Sequence, residues 1–155
     1  LSDVLVVGVG NPSRGDDGAG IAVAQALKKK SLPGVDVREA TGEALALIAL
    51  WEGYEDVVLV DAAHSGAAPG TIHIFPTVAD VPARHGTGTS THGFGVAEAL
   101  ALAKELGRLP RRCAVVAIEG ADYDLGAQLS PAVRAAVDSV VARVAERLGG
   151  MARSG

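Results

Sequence analysis

With 155 residues, nearly half of them apolar, the chain is one ordinary domain, long enough to bury a core unaided. Its net charge of −4, with no long block of Lys or Arg, argues against nucleic acid as a partner. The single cysteine, Cys113, excludes an internal disulfide and a thiolate zinc site. No leader pattern or membrane-length apolar run is present, so the expected setting is cytoplasmic, without a membrane partner. Residues 1–150 read as the domain and 151–155 as a disordered tail.

The first element is the apolar run Val4–Val9, which leads into Gly8-Val9-Gly10-Asn11. A helical pattern follows from Gly18 to Leu27, giving a strand, a tight loop and a helix. Such loops in α/β proteins often hold an anionic ligand. Here Asp16 and Asp17 occupy the place of the phosphate. Each would repel a pyrophosphate by about 1 kcal/mol or more even when well solvated, so the loop suits a cation. A dinucleotide fingerprint fits only in part: Gly8 and Gly10 supply two glycines, but Ser13 stands at the third and the loop is too long. Glu39, closing the next strand pattern (Val35–Glu39), stands roughly where a ribose-binding acid belongs.

Farther along, Ala44, Leu47, Ile48 and Trp51 fall at i, i+3, i+4 and i+7, a helix. Val57–Asp61 is a third buried strand, and Gly70–Phe75 alternates like a half-exposed edge strand. Ala83–Gly95, rich in Gly, Thr and Ser, reads as a loose loop. Val96, Ala99, Leu100 and Ala103 repeat the helical spacing, and Cys113–Ile118 is another buried strand, in which Cys113 reads as core rather than nucleophile. Ser130-Pro131 announces a last helix by N-cap and first-turn proline; it carries Val133 to Leu148 on one face and ends in a loose stretch from Gly149.

This order implies an α/β protein, a three-layer α/β/α sandwich around a mostly parallel five-stranded sheet with one antiparallel edge strand. Right-handed crossovers place the first and third strands side by side. Asp17 follows the first and Asp61 closes the third, so both carboxylates reach the edge where such folds bind ligands. His92, in Thr91-His92-Gly93, stands near the start of the Val96–Ala103 helix. Two carboxylates and an imidazole suit a divalent transition metal and leave a coordination position free. Each residue also has a plainer reading: Asp16 as a helix cap, Asp17 as an acid favoured by the helix dipole, Asp61 as a turn former, His92 as a solvated side chain. His64, on the turn after Asp61, and His73, on the edge strand, have weaker claims.

The joint pattern resembles the nickel–iron hydrogenase maturation endopeptidases. The resemblance rests on Gly8-Val9-Gly10-Asn11 with Gly15-Asp16-Asp17-Gly18-Ala19-Gly20, Val60-Asp61-Ala62 leading to Pro69-Gly70-Thr71, and Thr91-His92-Gly93. Ile118-Glu119-Gly120 and Leu129-Ser130-Pro131-Ala132-Val133 extend it. It implies an endopeptidase that trims the C-terminal tail of a hydrogenase large-subunit precursor. It also implies that Asp17, Asp61 and His92 contact nickel already loaded into that substrate and are the catalytic set. Ala40-Thr41-Gly42-Glu43 departs from the glycine-richer turn of relatives, which bears on the cleft wall.

No serine sits in a Gly-x-Ser-x-Gly elbow and no His-Glu-x-x-His helix is present. Peptide cleavage then calls for water attack, with Asp17 or Asp61 taking the proton and Asp16 in support. Two other classes stay open: a non-catalytic nickel-sensing module, and a dinucleotide-dependent oxidoreductase.

Overall fold

The computed structural model describes residues 4–82 and 93–154. Its elements are β1 (Val4–Val9), α1 (Ala19–Lys30), β2 (Val35–Ala40), α2 (Ala44–Trp51), β3 (Asp56–His64), β4 (Ile72–Phe75), β5 (Gly93–Phe94), α3 (Val96–Leu106), β6 (Arg112–Glu119) and α4 (Pro131–Ser154). The main sheet runs β2-β1-β3-β6-β4. Its first four strands are parallel, and β4 lies antiparallel to β6 at one edge. The expected sandwich is therefore present, with β1 and β3 adjacent.

Period-two alternation sorts the strand residues into two cores. Val4, Val6, Val60 and Ile118 meet α1 and α4 through residues such as Leu27 and Val137. Leu5, Val7, Val57 and Leu59 meet α2 and α3 through Leu47, Trp51 and Leu100. β1 is buried on both faces, which explains its unbroken apolar run. Each fully buried Val or Leu contributes about 1.5–3 kcal/mol of transfer free energy. Trp51 also donates its indole N–H to Arg108 O at 2.9 Å.

The backbone of α1 sits unusually close to the sheet, and two glycines allow it. A Cβ at Gly8 would lie 2.2 Å from Gly20 O, and one at Gly20 would lie 2.2 Å from Val60 O. The Gly-x-Gly…Gly pattern thus serves helix-to-strand contact. It sets the 3-10 turn Gly15–Gly18, which carries Asp16 and Asp17, onto the ends of β1 and β3.

Most boundaries shift by a few residues from those read in the sequence, and three differences bear on the site or the domain's end. β3 does not close at Asp61 but runs to His64, placing His64 on the strand rather than on a turn. The reason is pairing: Asp61, Ala62 and Ala63 face Ala117, Ile118 and Glu119 of β6, while Ala63 and His64 face Phe94 and Gly93. The second difference is β5 itself, at the end of the stretch read as loop. Third, α4 continues to Ser154, past the glycine pair read as the start of the tail. Two glycines cost about 1 kcal/mol each in a helix interior, too little to end a helix already docked from Val133 to Leu148.

Candidate active site

Asp16 was read as a helix cap, and the structure corrects this. The N-cap position of the 3-10 turn is Arg14, with no side-chain cap bond. The Asp16 carboxylate is instead fully buried and accepts bonds from Ala121 N–H (2.7 Å), Asp122 N–H (3.0 Å), Ser130 N–H (2.7 Å) and Ser130 Oγ–H (2.7 Å). Burial alone would raise its pKa, but these donors outweigh it and hold the carboxyl below the usual range. Asp16 thereby ties both ends of the β6–α4 loop to the first loop. Asp16 N–H to Asp122 O (2.8 Å) and Gly126 N–H to Ser13 O (2.7 Å) close the seam.

Glu119, at the end of β6, is a second buried carboxylate. It accepts from Ser65 N–H at 2.9 Å and from the Ser65 hydroxyl, and contacts His73 Nε2 at 3.1 Å. Again burial raises the pKa and the bonds to Ser65 and His73 more than reverse it. His73 thus belongs to the frame that joins β3, β4 and β6. The sequence offered one clue to Glu119: a charged residue ending a wholly buried run must be paired.

Asp61 is different. It shares the strand face of Val57 and Leu59 and points at the start of α3, where a Cβ on Gly95 would come within 2.9 Å of its Oδ2. Ala62 N–H donates to Oδ1 at 2.8 Å, and Val96 N–H also serves the carboxylate. Burial pushes this carboxyl up to about 7, with the Asp17 charge adding to the rise; the Ala62 and Val96 amides and His64 oppose it. Asp17 is half-buried. Its Oδ2 accepts Asn11 N–H at 3.0 Å, and its Oδ1 lies 4.0 Å from His64 Nε2. The His64 ring stacks on Tyr123 at 3.8 Å between centroids and 20° between planes. Tyr123 Oη–H donates to Ala63 O at 2.8 Å.

The adjacent ends of β1 and β3 thus bring Asp17, Asp61 and His64 into electrostatic contact. His92 lies outside the described residues, directly before Gly93, the partner of His64 in β5. Among the described residues no three His, Cys, Asp or Glu side chains form a metal-binding group. Cys113 is buried in β6, and burial pushes its thiol up to about 12, which removes it as a nucleophile. Glu39, the acid that a ribose would need, is held by Lys28 Nζ at 2.7 Å. Glu43, in the unusual turn after β2, caps α2 by accepting Leu45 and Ala46 N–H at 3.1 and 2.8 Å. A cavity of about 360 Å³ lined in part by Trp51, Tyr54 and Arg108 lies before β3 and β6, at the opposite end of the sheet.

Fold and site together define an open α/β sandwich that carries acids, in place of a phosphate-binding loop, at the carboxyl edge of its sheet. The family model HycI, hydrogenase maturation protease, matches residues 21–147, a span that holds Asp61 and His92 and begins just after Asp17. The chain belongs to the hydrogenase maturation protease family and is an endopeptidase of hydrogenase maturation. The hydrogenase expression/formation protein HupD of Rhodobacter capsulatus is 30% identical over 149 residues, covering 94% of this chain and 70% of HupD. The hydrogenase 2 maturation peptidase of a Thaumarchaeota archaeon superposes with a TM-score of 0.68 at 29% identity, covering 96% of this chain and 99% of that one. The hydrogenase maturating endopeptidase HybD of E. coli shares the fold, with a TM-score of 0.74 at 24% identity, covering 100% and 94%. No helix among the described residues is long and apolar enough to cross a membrane.

Proposed function

We propose that the chain removes the C-terminal extension of a hydrogenase large-subunit precursor that already carries nickel, and that Asp17, Asp61 and His92 meet that nickel. The observation that carries this reading is the pairing of Asp17 and Asp61 at the ends of neighbouring strands, close enough for one charge to raise the other's pKa. Carboxylate oxygens and imidazole nitrogens suit a divalent transition ion. Nickel here is part of the substrate, and it adds Lewis acidity at the scissile carbonyl or its attacking water.

The protein's own part is proton transfer. Water adds to the scissile carbonyl carbon, a carboxylate takes its proton, the C–N bond breaks, and the proton passes to the departing amine. Asp61 suits this role when it is not itself bound to the nickel, because a base works best when its pKa lies near the working pH and burial raises that of Asp61 to about 7. Asp17 is held through Oδ2 by Asn11 N–H, and its Oδ1 lies on the side of His64.

The test is to incubate the protein with nickel-loaded and nickel-free precursor and weigh the products. A mass loss equal to a C-terminal peptide, from loaded precursor only, is expected. An intact complex with loaded precursor would make the chain a nickel-sensing module, and equal cleavage of both forms would remove nickel from the reading.

A further inference from the structure

One arrangement beside the acids is used by neither the latches nor the proton transfer: the stack of His64 on Tyr123. Tyr123 sits in the β6–α4 loop, whose two ends are fastened by Asp16 through Ala121, Asp122 and Ser130. Its hydroxyl is fixed to Ala63 O, so the position of the ring is set from both sides. The ring then fixes the plane of the His64 imidazole, 20° from its own, and Nε2 stands 4.0 Å from Asp17 Oδ1. The Asp17 carboxylate thus accepts Asn11 N–H on Oδ2, and the His64 imidazole flanks Oδ1 at 4.0 Å, beyond hydrogen-bond length but within electrostatic reach.

We propose that His64 is a positioning residue of the protease, orienting the Asp17 carboxylate toward the substrate, and that Tyr123 acts through it by clamping the imidazole. A half-exposed aspartate at a loop end would otherwise sample several rotamers, and an imidazole of fixed plane narrows them. The buried Asp16 latch then has a task beyond stability, since it holds the loop that holds the clamp. This inference rests on the proposed role of Asp17 in meeting the substrate.

The experiment compares His64→Phe, which keeps a ring on Tyr123 but removes Nε2, with Tyr123→Leu, which removes the clamp, and with the double variant. Cleavage of nickel-loaded precursor should fall about 10- to 100-fold in each single variant, the range that a small misplacement of a reacting group costs. The double variant should be no worse than His64→Phe, because Tyr123 acts only through His64. Tyr123→Phe, which keeps the stack and loses one bond, should lie between wild type and Tyr123→Leu. Losses that multiply in the double variant would overturn the proposal.

A second readout needs no turnover. In the free protein, the amide resonance of Asn11, which donates to Asp17, should move in His64→Phe and Tyr123→Leu in the direction that Asp17→Asn moves it. An Asn11 amide untouched by His64→Phe would sink the inference even if cleavage fell. Wild-type protein that leaves loaded precursor uncut counts against the protease reading instead, and the amide shift still decides the role of His64.

Discussion

Asp16 and Asp61 are both buried aspartates at the same edge of the sheet, yet they are held in opposite ways. Asp16 receives four hydrogen bonds from the β6–α4 loop and is kept ionised below its usual range. Asp61 has the Ala62 and Val96 amides and a neighbouring negative charge, and its pKa rises to about 7. Burial is the leading influence on both, but Asp61 lies much deeper among protein atoms than Asp16, so its charge costs more. Depth and the number of donors together separate them. Glu119, satisfied by Ser65 and His73, falls with Asp16. A carboxylate filled with donors builds the frame, and one left short of them is free to exchange a proton.

The sharpest way to break this contrast is to neutralise each acid. Asp61→Asn should lower cleavage about 100- to 10,000-fold, the span of a lost general base. Its melting temperature should stay level or rise, because the charge that burial disfavours is gone; a melting point that drops steeply would class Asp61 with the frame. Asp16→Ala should fall chiefly on stability, with cleavage lowered no more than by loss of the Tyr123 clamp. Stranding the buried N–H and O–H donors of the loop costs about 1–3 kcal/mol for each donor left unpaired, measurable by urea unfolding. Glu119→Gln comes next, at roughly 1–3 kcal/mol, since its amide group turns a donor toward Ser65.

The smallest effect is in pH dependence, and its sign differs between the two kinds of acid. Asp16 and Glu119 have folded pKa values below their unfolded ones. They add stability above the unfolded values of about 3.9 and 4.3, and that stability is lost as pH falls through the lower folded values. Asp61 is raised to about 7, so its contribution is full below about 3.9 and is lost as pH climbs toward 7. Stability measured across pH should therefore fall at both ends. Asp61→Asn should remove the neutral-side decline and leave the acid-side fall; a decline that survives this substitution would mean the proton sits elsewhere.

Much of this could be read from the chain itself. Strand and helix periods gave the sandwich, the antiparallel edge strand and the adjacency of β1 and β3, because apolar spacing reports which faces are buried. The acidic pair in the first loop argued against a phosphate, and the ordered motifs pointed to the protease family. The division of labour between Asp16 and Asp17 was not legible. Both are aspartates on one short turn, and what distinguishes them is a loop more than 100 residues away that donates to one and not the other. Nor could spacing reveal that β3 outlasts Asp61, since its last residues are held by β5 and β6 rather than by an apolar pattern of their own. His64 looked marginal because the ring that fixes it, Tyr123, is distant in sequence. Local propensity and burial period fix the elements and their order. The ionisation and orientation of the site's acids are set by donors and rings from remote segments, and only the folded chain brings those within hydrogen-bond reach.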